Sequence, residues 1–402
     1  MAGAAQYQSR GIIAHLARAG FRRINDCPQG EKGPDGMSFR RGLRSPAGIA
    51  VALGTAGVVI LTLREAVPVA RMLLIDPGPL VPPPEPKPNA YRDSDSRGLI
   101  AATCNPDPDA GVRRVMDLLG GLAPIDVAGQ RVVIKPNGNS GMPAPASTSP
   151  EVLETVIRLL QEHGAREIVV GEMSGPPWFD TAREMRRNGL LDVIERTGAR
   201  FVDFKDDAWV TVPLGDRSEH FSTASIPRTL YEAERLIGLP TIKTHFLAGY
   251  SMSIKLWFGG VHPRNRVATH LSRHRDRILA DLNLPFWPDL LILDGSRSLI
   301  SGGPKKGDVV RTDLFFASGD RIGIDLCGLS VIKGFEKWPA VADLGVWEQP
   351  QIQRAAELEL GVADGKHLTL LTDPACDHRP LYRSSVRQIT EWAGIPERRA
   401  DG

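Results

Sequence analysis

The sequence predicts an α/β fold: a mainly parallel sheet with helices on both faces, preceded by one N-terminal transmembrane or signal helix. Three observations lead there. From about Leu99 onward, short β-rich apolar runs alternate with stretches at helical spacing. The intervening helical stretches are long enough to serve as the crossovers that parallel strands require. Ahead of them, Ser45–Leu63 is a run of 19 residues without a charge.

That N-terminal part differs in charge from everything after it. Residues 1–71 hold ten Lys or Arg against four Asp or Glu, a net charge of +6, so the remainder carries −4 and the whole-chain value of +2 describes neither. As a helix, the uncharged run would span about 28 Å, close to the thickness of a bilayer core. Its upstream flank is the more basic, which places residues 1–44 in the cytoplasm as a basic leader and the folded domain on the periplasmic side. Arg40-Arg41 is twin-arginine-like, and Met37 is a second candidate start. Pro68 spoils a small-residue cleavage pattern, so 45–63 is expected to stay as a signal anchor. A buried core helix is the alternative, because Gly48, Gly54 and Gly57 dilute the run. Residues 64–94, with the proline-dense Pro77–Pro88, read as an extended linker. The α/β domain is expected over 95–402.

Within that domain Arg131–Ile134 reads as a buried strand. Ser149-Pro150-Glu151 then offers an N-cap, a proline at the first helical position and an acidic first turn. Leu153, Val156, Ile157 and Leu160 follow at helical spacing, and Gly164 closes the helix. Ile168–Val170 and Phe201–Phe204 are the next strands, flanking helical sequence over 179–195 that Gly189 interrupts. Further strands are expected at 235–239, 290–293, 315–318 and 368–371, with helices near 270–282, 320–332 and 350–360.

Composition narrows the function. Forty-nine basic against 47 acidic residues leave no excess to neutralise phosphates, so nucleic acid is not an expected partner. Cys27, Cys104, Cys327 and Cys376 lie far apart, which excludes a cysteine-ligated iron–sulfur cluster of the chain's own, a zinc ribbon and a disulfide scaffold. Trp257-Phe258 is read as packing. No G-x-G-x-x-G follows a strand, and neither a Walker loop nor a G-x-S-x-G elbow is present.

In open α/β sheets, ligands bind beyond the carboxyl ends of the strands. Five positions fall there on the expected strands: Lys135 with Asn137, Glu172, Lys243 with His245, Asp294 and Asp320. The densest stretch, Lys243–His274, adds Lys255, Arg264, Arg266, His262 and His270 among glycines at 249, 259 and 260. Lysines and close backbone amides suit a small anionic ligand such as phosphate or carboxylate. Alternatively His245, His262 and His270 with Asp294 would hold a divalent metal, although adjacent lysines oppose a cation. Ser301–Asp308, with Gly303-Pro304-Lys305-Lys306, is a second, weaker phosphate-loop candidate.

Several short motifs recur in one order: Lys135-Pro136-Asn137, Leu239–His245, Ser253-Ile254-Lys255, His270, Leu293-Asp294-Gly295, Gly303-Pro304 with Gly307, and Ala317–Asp320 with Asp325. This series, from about 98 to 361, resembles the bacterial and archaeal family of domain of unknown function 362. The resemblance implies site residues at Lys135, Asn137, Lys243, His245, Lys255, His270, Asp294, Asp320 and Asp325. Many members of that family carry ferredoxin modules or export signals; this chain lacks the cysteines for the former. It also departs where the family has Lys-Asn, since Lys255 is followed by Leu256.

The expectation is a membrane-anchored or exported protein that binds a small anionic substrate and acts on it by acid/base chemistry. Lys243, His245 and Asp294 would be catalytic, with His245 as acid or base and Asp294 orienting it. Lys135, Asn137, Lys255, His270, Asp320 and Asp325 would bind substrate. Two other readings stay open: a redox-associated accessory domain that meets a redox partner, and a non-catalytic anion-binding protein.

Overall fold

The computed structural model describes residues 74–175 and 179–400. The leader and the uncharged run at 45–63 lie outside the described residues. No helix among the described residues is long and apolar enough to cross a membrane.

Nine strands form the main path of one sheet: β1 (Gly98–Cys104), β2 (Arg131–Pro136), β3 (Glu167–Glu172), β4 (Arg200–Asp203), β7 (Arg235–Leu239), β10 (Leu290–Leu299), β12 (Leu314–Ser318), β13 (Leu368–Thr372) and β14 (Glu397–Arg399). Their order across the sheet is β14-β13-β1-β12-β10-β7-β2-β3-β4. Every neighbouring pair on this path is parallel except the two that involve β12, which runs against both β1 and β10. Three short strands branch from the path. β8 (Thr241–His245) follows β7 across Pro240 and pairs β10; β9 (Gly249–Tyr250) turns back on β8; β11 (Val309–Val310) pairs the end of β10. A separate hairpin joins β5 (Trp209–Pro213) to β6 (Thr223–Pro227).

The two-residue period of the strands divides the core between two faces. Val132, Ile134 and Ile292 pack with Val112, Leu153 and Ile194 of the helices Pro108–Leu119, Pro150–Glu162 and Leu190–Thr197. Val133, Leu291 and Leu293 point the other way, into a core shared with Ile278, Ile324, Ile352 and Tyr382 of the helices Arg275–Asp281, Arg321–Lys333, Pro350–Glu357 and Pro380–Ala393. The helix Arg321–Lys333 is apolar almost all round and is buried over nearly its whole length, as expected of a helix covered on every side.

The proline-dense segment is extended, as its composition requires, but lies against the domain. Val81 donates its N–H to the Thr211 carbonyl at 2.9 Å, Lys87 reaches Asp289 at 2.9 Å, and Tyr91 is buried. The interruption expected at Gly189 is present: the sequence over 179–195 makes two helices, Thr181–Arg187 and Leu190–Thr197, with Gly189 between them in the left-handed region at φ 85°. One expectation needs correction. The direction of β12 carries Asp320 to the edge opposite the carboxyl ends of β2, β3 and β10, because Ser318 pairs with Ile100 and Leu291 near the starts of β1 and β10.

Candidate functional site

The carboxyl ends of β2 and β3, strand β8 and the short helix Ser253–Leu256 enclose a polar cleft of about 50 Å³. Lys135, Lys243, His245, Lys255 and Arg266 line it, and Glu172 is the one acidic residue among them. The volume has room for a few water molecules or one small oxyanion.

β2 carries Lys135 near its end, and the adjacent β3 ends in Glu172, so parallel pairing brings the two side chains together. Lys135 Nζ lies 2.8 Å from Glu172 Oε2 and also donates to the Pro136 carbonyl at 2.7 Å. The Gly138 and Met173 N–H groups donate to the same carboxylate at 2.6 and 2.8 Å. Glu172 is thereby heavily engaged as an acceptor. Burial lowers the Lys135 pKa, against the raising effect of Glu172. Gly259 presses its backbone onto this pair: a Cβ there would come within 2.9 Å of both Glu172 Oε1 and Lys135 Nζ. Asn137 also lines the cleft and is fixed by its N–H to Thr148 Oγ1 at 2.8 Å; Thr148 in turn donates to the Leu239 carbonyl.

β8 contributes Lys243 and His245, two residues apart and on one face. Lys243 is 2% exposed, and its Nζ donates to the Ala146 carbonyl at 2.7 Å. Burial, then the charge of Lys255, holds its pKa well below the usual lysine value. The His245 ring is oriented by its own turn: the N–H groups of Leu247 and Ala248 donate to Nδ1 at 3.1 and 3.3 Å. An Nδ1 that accepts leaves the proton of the neutral ring on Nε2. Burial and the charges of Lys255 and Lys243 hold the His245 pKa well below the ordinary imidazole value. The ring is therefore a neutral N–H donor, and its Nδ1 lone pair is already committed to the turn.

Lys255 comes from the helix Ser253–Leu256, which Asp325 secures from the neighbouring helix by accepting the Ser253 and Ile254 N–H groups at 2.6 and 3.2 Å. Lys255 Nζ and Arg266 Cζ stand 5.8 and 5.6 Å from the Phe258 ring centroid. His270 is exposed, with its ring edge-on to Phe258 at 5.3 Å. Desolvation by its neighbours and the charges of Lys255, Arg266 and Arg275 push its pKa down to about 4.

Three expected site residues do other work. Asp294 accepts the Ser149 N–H at 2.8 Å and the Ser296 hydroxyl at 2.7 Å, so it anchors the start of the helix Pro150–Glu162 and does not orient His245. Ser149 accordingly starts that helix without a capping bond from its own side chain. Asp320 caps the helix Arg321–Lys333 through the Gly323 N–H at 2.8 Å and also receives the Val362 N–H at 2.9 Å. Asp325 supports the site from behind. The alternative metal set is not assembled either. His262 accepts the Arg264 N–H, its Nε2 lies 3.2 Å from the Ile75 carbonyl, and its ring meets Trp209 edge-on. Among the described residues no three His, Cys, Asp or Glu side chains are grouped to hold a metal ion.

Of the Ser301–Asp308 loop, Pro304 reaches the cleft, while Lys305 lies over the Phe179 ring at 4.9 Å. Gly259, one of the three glycines noted in the dense stretch, lines the cleft; Asn139, Ser251 and Phe258 also line it without having been singled out from the sequence as site residues, and Arg266 was not separated from its basic neighbours. Asn139 was open to detection in the run Lys-Pro-Asn-Gly-Asn; Arg266 depends on long-range folding.

Residues 132–330 match the family model described as Domain of unknown function (DUF362), so the resemblance carried by the motifs holds over that span. A thylakoid-associated protein, sll1697, from Synechocystis sp. is 29% identical over 224 residues, which cover 54% of this chain and 67% of that protein. The lactate racemase apoprotein from Thermoanaerobacterium thermosaccharolyticum aligns at 12% identity with a TM-score of 0.36, over 78% of this chain and 89% of that one.

Proposed function

We propose that the cleft binds a small oxyanion, a carboxylate or a phosphate, and that the protein acts on a substrate carrying one. One observation carries the reading. Lys135, Lys243, Lys255 and Arg266 line the same small space as the His245 ring, and the one carboxylate lining it among the described residues is already engaged by Lys135 and two backbone amides. Buried cations lower one another's pKa, and an anion among them would relieve that repulsion. Lysine has three donors, so Lys135 and Lys243 each keep at least one beyond the bonds described.

His245 enters this reading in a changed role. Its Nε2–H would stabilise negative charge on the ligand by donation, the work of an oxyanion-hole group, and proton transfer would fall to another residue. The test is calorimetric titration of the purified chain with inorganic phosphate. Saturable binding that Lys243→Met abolishes is the expected result; absence of binding at millimolar phosphate overturns the reading.

The second part of the proposal is attachment to a membrane through residues 45–63, with the domain on the periplasmic side. Its support is the 19-residue uncharged run with a basic upstream flank, together with the thylakoid association named for the Synechocystis relative. Alkaline carbonate extraction of membranes tests it: an anchored chain stays in the pellet, and release into the supernatant refutes it.

A further inference from the structure

Lys255 stands apart from the other cations of the cleft. Lys135 is held by Glu172, Lys243 by the Ala146 carbonyl, and Arg266 lies 3.4 Å from the Met173 carbonyl. Lys255 Nζ has no hydrogen-bond acceptor and no ion-pair partner among the described residues; its neighbour is the Phe258 ring. Burial, followed by the charge of Arg266, pushes its pKa down to about 8. About a tenth of the amine is then free at pH 7, far more than for an ordinary lysine. A second group that acts on Lys255 also has an unpartnered atom. Oδ1 of Asp276 is buried without a hydrogen bond, burial raises the pKa of that carboxyl, and its charge acts on Lys255. A desolvated amine beside other cations is the arrangement that activates a lysine as a nucleophile.

We propose that Lys255 forms an imine with a 2-oxo acid whose carboxylate is held by Lys135, Lys243 and the Nε2–H of His245. The proposal rests on the oxyanion reading above and adds a carbonyl to the ligand. The Nζ lone pair adds to the carbonyl carbon, and the proton leaving Nζ passes to the carbonyl oxygen. The carbinolamine then expels that oxygen as water and leaves the carbon–nitrogen double bond. One water is released, and no oxidant or reductant is needed. Asp276 is the positioning residue for the proton. A cleft of about 50 Å³ suits an acid of few carbons rather than one bearing a ring.

Reductive trapping tests this. The full chain is incubated with pyruvate and cyanoborohydride, and intact and peptide masses are read. The expected product is a single adduct at Lys255, a gain of one pyruvic acid less one oxygen atom. Saturating inorganic phosphate should slow it, and acetone, a carbonyl without the carboxylate, should label far less. Lys255→Arg keeps a positive charge but cannot form the imine, so the adduct should be lost; its phosphate affinity reports whether the cleft is intact. Asp276→Asn should displace the pH profile of labelling; an unchanged profile removes Asp276 from the step. No adduct, or labelling spread over exposed lysines and unaltered in Lys255→Arg, overturns the role of Lys255. If phosphate still binds in that case, the oxyanion reading stands; if phosphate binding is absent too, both fall.

Discussion

Lys135 Nζ lies 2.8 Å from Glu172 Oε2, and neither residue is more than 2% exposed. The pair joins the ends of two adjacent parallel strands and forms the floor of the cleft. Removing one partner leaves a buried charge uncompensated, at a cost of about 3–5 kcal/mol. Glu172→Gln and Lys135→Met should each lower unfolding free energy by about that amount in urea titrations. The double variant should recover part of the loss, and simple additivity would show the two are not coupled.

Gly259→Ala tests the same floor from above. The added methyl must displace the ion pair, since both charged atoms lie within 2.9 Å of its position. Overpacking of this kind costs about 1–3 kcal/mol. Phosphate affinity should fall together with thermal stability; wild-type values for both would contradict the close approach.

For His245 the donor is what matters. His245→Gln places an amide N–H near the same point, whereas His245→Ala removes it. Loss of a hydrogen bond to a charged group is worth about 1.5–3 kcal/mol, so phosphate affinity should weaken about 10- to 150-fold in the alanine variant. The glutamine variant should retain most of it. Equal losses in the two would mean that ring shape, not donation, is read by the ligand.

The pH dependence follows from Lys255. Sulfate is the suitable probe, because its own charge is constant across the range. Binding should weaken as pH rises above about 8, where the free site loses the Lys255 proton. Because a bound anion favours the protonated amine, the midpoint in the complex should lie higher. Lys255→Met should bind sulfate less tightly and lose this alkaline limb. A limb that survives the substitution would assign the titration elsewhere.

Asp325 predicts a pH effect on stability. Burial raises its carboxyl to about 7 in the folded state, above the ordinary value near 4 of an unfolded chain. The folded state then holds the proton more tightly, so this contribution is full at low pH and is lost as pH rises through 7. Asp325→Asn should flatten the slope of unfolding free energy between about pH 4 and 7. An unchanged slope would remove Asp325 as its source.

Much of the sheet was legible in the sequence because its strands are buried on both faces and read as short aliphatic runs, as at Val132–Ile134 and Leu290–Leu293. Lys135, Glu172, Lys243 and His245 were legible as strand-end residues for the same reason. The direction of β12 was not read, although the chain between Leu299 and Leu314 holds glycine and proline and no helix to make a crossover. That omission put Asp320 on the wrong edge. The partner of Asp294 lies 145 residues away in sequence, at Ser149. The partners of His245 are main-chain N–H groups in a tight turn. Neither leaves a mark in residue identity, so the sequence does not show that His245 Nδ1 is already engaged by its own turn.

The carboxylate of Asp325 belongs to a helix that forms none of the cleft wall, yet it grips the segment that presents Lys255. The amine is thus mounted on the hydrophobic interior rather than on the rim. Repacking Ile324 or Leu329, which are buried and line none of the cleft, would tilt that mount and be felt as altered amine reactivity. A screen for variants with changed labelling rate would find them in the middle of the molecule as readily as at its opening.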